Sequence, residues 1–129
     1  MCSGALVLGS AGLLEGHPAT THWLVMDFLP DLGATARPHD RVVRSGRIAT
    51  AAGVSSGIDL GLWLVGEICG RQRAEAVQLM IEYAPRPPYD AGHLDTASDE
   101  VRKLAREELE ARAATPPRTA PDVTWSAAP

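Results

Sequence analysis

The first residue able to do chemistry is the second in the chain. Cys2-Ser3-Gly4 stands directly before an apolar run, residues 5–14, that reads as a short buried helix stopped by Gly16. A cysteine on the turn into a helix meets unpaired backbone N–H groups and the positive end of the helix dipole, and both favour the nucleophilic thiolate. The same N–H groups can receive negative charge when sulfur attacks an electrophilic carbon. Spacing alone does not separate such a nucleophile from a cysteine that merely follows an initiator methionine. Cys69 ends an amphipathic pattern and reads as a buried or half-buried structural thiol. Two cysteines make no disulfide framework. His17, His22, His39 and His93 have no metal-ligand spacing, so neither a metal site nor a cofactor is expected. No carboxylate offers itself as a general acid beside Cys2: Glu15 lies past the first helix, and Asp59 reads as a helix cap. Trp23 and Trp63 read as core.

Positioning Cys2 falls to six apolar segments. Residues 19–22 carry Thr20 and Thr21 and predict a strand; residues 24–29 predict a helical turn or two stopped by Pro30. Residues 41–44 and 48–51 flank Ser45-Gly46, a hairpin signal. Residues 56–68 form the clearest helix, with Ser56 as cap and Asp59 in capping-box position. Its apolar residues cover most of the circumference, which suits a helix packed on a sheet. Residues 73–83 predict a further helix, ended by the proline-rich YAPRPPYDAG. Strands and helices alternate, so the fold class is α/β.

Composition sets the outer limits. The 129 residues carry 12 Lys+Arg against 16 Asp+Glu, a net charge of −4 that argues against a nucleic-acid module. Apolar residues make up 45%, enough for one packed domain, and no apolar run is long enough for a membrane span. The N-terminus lacks the basic region of a signal peptide, which makes the cytoplasm the expected location. Residues 1–97 form the domain. Residues 98–113 hold five acids and four bases and predict a solvated helix with i,i+4 pairs Asp99–Lys103, Lys103–Glu107 and Glu108–Arg112. Residues 114–129, with Pro116, Pro117, Pro121 and Pro129, have too little apolar surface to offset their ordering entropy and read as a disordered tail.

Three strings taken together carry more than any one of them. MCSGALVLGSAGLLEGHPATTHW, RVVRSGRIATAAGVSSGIDLGLWLVGEICG and VQLMIEYAPRPPYDAG resemble the ThiJ/PfpI family of the class I glutamine-amidotransferase-like superfamily. The resemblance covers residues 1–97 and is strongest to the isonitrile hydratase branch and to the sensor domains of AraC-type regulators. It implies a flavodoxin-like three-layer sandwich with a mostly parallel sheet, a homodimer when full length, and a small-molecule substrate. It places Cys2 at a nucleophile elbow, Ser3 where that branch usually has Thr, and His22 where a histidine approaches the nucleophile. It also places an assisting acidic residue and the first strands upstream of the cysteine, for which this sequence has no counterpart. The sequence is therefore expected to be a C-terminal fragment starting at the elbow.

Two functions follow from the resemblance. One is a cysteine-dependent hydratase that converts an isonitrile to an N-substituted formamide, with Cys2, Ser3 and His22 as its site residues. The other is a non-catalytic ligand or redox sensor on the same scaffold. Residues 98–113 do not resemble the helix-turn-helix module of AraC-type regulators, which favours the first.

Overall fold

Glycine turns and apolar segments fold as predicted into α/β structure, but with shorter elements. The computed structural model describes residues 1–114. The chain divides into two units, Met1–Pro87 and Pro88–Pro129.

In the first unit, helix α1 is Gly4–Ser10. It ends before the expected Leu14 because Gly12 adopts φ 73, a left-handed conformation that breaks the helical path. Leu14 is nonetheless fully buried, on the turns beyond the helix. Gly9 lets α1 lie against Leu32, since a Cβ there would sit 2.7 Å from Leu32 Cδ1 and 2.9 Å from its Cβ. Around this contact the core gathers Ala5, Leu14, Ala19, Met26, Leu29 and Ala34.

Strand β1, Pro18–Ala19, pairs in parallel with β2, Thr35–Ala36. Residues 20–34 make the crossover that a parallel pair requires. They contain two 3₁₀ helices, Trp23–Phe28 and Pro30–Leu32. The strand expected over 19–22 stops early because Thr20 and Thr21 turn to other partners. Thr20 N–H donates to Thr50 Oγ1 at 2.9 Å, and Thr21 Oγ1 donates to the Cys2 carbonyl at 2.8 Å. Pro30 does not end helical structure but opens its second piece, in the first turn, where a missing N–H costs nothing.

The expected hairpin forms. Strands β3, Val42–Ser45, and β4, Ile48–Ala51, pair antiparallel from Val42↔Ala51 to Ser45↔Ile48. Gly46, at φ 59, holds the first central position of the two-residue turn, the place where a type II′ turn needs glycine. Helices α2, Ser56–Cys69, and α3, Arg71–Met80, follow. Helix α2 is less covered than its apolar circumference suggests: Ile58, Leu64 and Ile68 remain exposed, and Trp63 is half-buried beneath the Arg44 guanidinium at 5.7 Å. Trp23 is likewise half-buried rather than core. Cys69, expected to be buried or half-buried, is exposed at the end of α2.

The second unit contains α4, Asp99–Ala114. It is solvated as expected, with Val101 and Leu104 both exposed. Its pairs are Lys103–Glu107 and Glu108–Arg112, but Asp99 turns to Arg102 at 2.9 Å, one residue nearer than the expected Lys103. The tail expected to be disordered lies, past Ala114, outside the described residues. Among the described residues no helix is long and apolar enough to cross a membrane.

Candidate functional site

Cys2 is one of two non-glycine residues with positive φ among the described residues, at 51°. A side chain in that conformation costs on the order of 1–3 kcal/mol and persists where neighbours over-determine it. Here they do. The Cys2 N–H is shared between the carbonyls of Ala52 at 2.8 Å and Ala51 at 3.1 Å, at the end of β4. Its own carbonyl accepts the hydroxyl of fully buried Thr21. The result is a sharp turn directly before α1 that presents a half-buried thiol.

Ser3 enters α1 with φ −61 and ψ −9, and its exposed hydroxyl makes no capping bond. Its backbone N–H has no acceptor among the described residues, whereas those of Gly4, Ala5 and Leu6 are bonded to Met1, Cys2 and Ser3 carbonyls. An elbow of this kind typically uses the N–H following the nucleophile to hold developing negative charge. The Ser3 N–H has that position.

His22 opens the first 3₁₀ helix, where its Nδ1 accepts the Leu24 N–H at 3.3 Å. Burial pushes its imidazole below the ordinary histidine range, which keeps it neutral. With Nδ1 accepting, the neutral ring carries its proton on Nε2, so it can donate a hydrogen bond from there. The ring packs beside Trp23, with centroids 5.6 Å apart, and its Cδ2 faces Gly53. Thr21 brings the backbone next to His22 onto Cys2. Among the described residues no hydrogen bond joins Cys2 Sγ, Ser3 Oγ and the His22 ring.

The start of α2 differs from the expected capping box. Ser56 is buried and donates to the Gly53 carbonyl at 2.5 Å, while Ser55 holds the cap position without a side-chain capping bond. Asp59 turns outward to Arg41, whose Nε donates at 2.7 Å, and accepts the Tyr83 hydroxyl at 2.9 Å. A guanidinium offers a charge-assisted bond stronger than a neutral backbone N–H, so Asp59 leaves the cap for it. The Asp59 carboxylate, by accepting the phenolic proton, holds Tyr83 above the ordinary tyrosine range, and burial adds to this. The residues that shape the elbow's surroundings — Thr21, Arg41, Asp59 and Tyr83 — carry no local signal, because each partner lies far along the chain.

Residues 1–67 match the model of the DJ-1/PfpI family, just over half of the chain. The chain belongs to the DJ-1/PfpI family. It is 51% identical over 116 residues to the isonitrile hydratase of Pseudomonas putida, covering 87% of this chain and 50% of that protein. It is 35% identical over 101 residues to the HTH-type transcriptional regulator CdhR of Pseudomonas aeruginosa, covering 74% of this chain and 29% of the regulator. Among solved structures, a THiJ/PfpI family protein from Pseudomonas syringae superposes with a TM-score of 0.79 at 45% identity, over 85% of this chain and 45% of that one. The fold is thus the α/β, flavodoxin-like one expected, with the parallel pair β1–β2 and the antiparallel hairpin β3–β4 as its described strand pairs. The chain spans half the length of the hydratase and less of the regulator.

Proposed function

We propose that this chain supplies the nucleophile half of an isonitrile hydratase-type site. The strained Cys2 turn, with the Ser3 N–H beside it unpartnered among the described residues, is the observation that carries the reading. In the reaction, the Cys2 thiolate attacks the terminal carbon of R–N≡C, forming a C–S bond, and protonation of that carbon gives a thioimidate. Water adds to the same carbon, the C–S bond breaks, and the N-substituted formamide leaves as thiolate is restored. Splitting hydration in this way replaces one hard step by two easier ones. The Ser3 N–H steadies charge in the adducts, the Ser3 hydroxyl lies at the mouth of the turn, and neutral His22 orients water or adduct through Nε2–H. No metal or cofactor enters these steps. Residues 1–97 form the partial domain and residues 98–113 an appended helix. The whole domain acts in the cytoplasm as a homodimer on a small molecule.

A general acid or base contributes typically 10²–10⁴-fold, and a misplacement of about 1 Å costs ~10²-fold. The 129-residue chain alone is therefore expected to form little formamide from a simple alkyl isonitrile, followed by chromatography. Joined to the half of the family domain that it does not span, it is expected to turn over, and Cys2→Ala is expected to abolish turnover. A whole domain that leaves isonitriles untouched, or a Cys2→Ala variant that keeps its activity, overturns the proposal. The similarity to a transcriptional regulator supports a second reading, a sensor whose thiol is oxidised or whose site only binds. Stoichiometric oxidation of Cys2 by dilute peroxide, without isonitrile turnover by the whole domain, selects it.

A further inference from the structure

Residues 52–57 form a turn against which Cys2 and His22 lie. The Cys2 N–H bonds the carbonyls of Ala51 and Ala52 where the turn begins. The His22 ring faces Gly53. Met1 packs so closely on Gly57 that a Cβ there would collide with its Sδ. Yet the turn, Ala-Gly-Val-Ser-Ser-Gly, is built from small side chains, and its bond from Ser56 Oγ to the Gly53 carbonyl is internal. Its placement comes from outside.

We infer that Asp59 is a positioning residue for the Cys2 site, held by Arg41 and Tyr83 so that it fixes the 52–57 turn against Cys2 and His22. Arg41 grips the turn at two points: its carbonyl accepts the Ala52 N–H at 2.9 Å, and its Nη2 reaches Ser55 Oγ at 3.3 Å while pairing with Asp59 at 2.5 Å. Tyr83 closes the clamp from beyond α3. To bring it there the chain places Glu82 at φ 50, the other strained non-glycine residue, and Gln78 binds the Tyr83 backbone at both N–H and C=O. Strain at Cys2 and strain at Glu82 thus stand at the two ends of one network. The Arg41 side chain is 53% exposed and that of Asp59 31%, a setting in which an ion pair contributes little stability, so geometry is the effect that remains. The inference rests on the hydratase reading only for the purpose of the site; the clamp itself is tested without substrate.

The test uses the full 129-residue chain in a Tyr89→Phe background, which leaves Tyr83 as its single tyrosine. Asp59→Ala is compared with Tyr83→Phe, which removes one hydrogen bond and guards against a variant that fails to fold. Ultraviolet titration of the phenol reports the clamp: in Asp59→Ala, Tyr83 moves down to the ordinary tyrosine range. Amide exchange by NMR reports the elbow: both substitutions speed exchange of the Cys2 N–H by about tenfold, with the Thr20 N–H, bonded to Thr50, as an unchanged control. Mass-mapped iodoacetamide labelling at one pH then shows the Cys2 rate moving toward that of Cys69 in the same molecule. An unchanged Cys2 amide and an unchanged Cys2 labelling rate, once the phenol titration or Tyr83→Phe has broken the clamp, overturn the inference. If Cys2 of the unsubstituted chain labels no faster than Cys69, the nucleophile reading fails instead, and the amide still decides the clamp.

Discussion

The strained φ of Cys2 can be weighed by comparing Cys2→Gly with Cys2→Ala, because neither retains the thiol and the two differ by a methyl group. Elsewhere in a chain, glycine is less stable than alanine by roughly 0.5–1 kcal/mol, through its greater freedom when unfolded. At φ 51 the order reverses, because a Cβ in the left-handed region costs about 1–2 kcal/mol and glycine avoids that cost. The balance leaves Cys2→Gly more stable by about 0.5–1 kcal/mol. With a urea dependence of ~1–2 kcal/mol/M for a small domain, its unfolding midpoint lies roughly 0.3–1 M above that of Cys2→Ala. Circular dichroism against urea measures this, and equal slopes in the two variants make the midpoints comparable. The reversal depends on the turn being held, since a free N-terminal residue would relax to negative φ. An alanine variant as stable as the glycine variant, or more so, means that the two carbonyls at the end of β4 do not hold Cys2, and the account of the elbow falls.

Thr21→Val deletes the hydroxyl that Cys2's carbonyl accepts and is expected to destabilise by about 1–3 kcal/mol. The neighbouring Thr20→Val is expected to be near neutral, because Thr20 Oγ1 is buried without a hydrogen-bond partner among the described residues; urea midpoints of the pair decide. His22 binds its proton less readily folded than unfolded, so the unfolded state holds more protons below the ordinary value of 6.5. Stability is expected to be flat above that value, to fall as pH drops through it toward the lowered folded value, and to fall less in His22→Gln; an equal slope in both excludes this histidine as the cause. Exposed Cys69 is expected to react fully with Ellman's reagent in the native chain, and protection until denaturant is added would contradict its placement.

What the sequence disclosed was local. The hairpin was legible because Gly46 answers a demand of the turn it occupies, and α2 because thirteen residues of apolar pattern resist any other reading. Strand β1 was overestimated since Thr20 and Thr21 look like strand residues, while the Thr20 N–H is taken by Thr50 and the Thr21 hydroxyl by the Cys2 carbonyl, neither of them near in sequence. Asp59 was misassigned for a related reason: a short-range capping rule competed with a guanidinium eighteen residues upstream and a phenol twenty-four downstream, and lost to both. Cys2 and His22 stood out through family resemblance rather than through spacing. The positive φ that makes Cys2 an elbow is written in the carbonyls of residues 51 and 52, which no pattern around residue 2 reveals.

Those two carbonyls also give the site a timetable. The acceptors that bend Cys2 are made some fifty residues after it, a lag of roughly 3–10 s at ordinary synthesis rates. Closing so long a loop costs entropy that only the finished hairpin can offset. Until then nothing holds Cys2 in its bent conformation, and its thiol is open to any passing oxidant. Cys2 is thus made well before it acquires its shape, which awaits the emergence of β4.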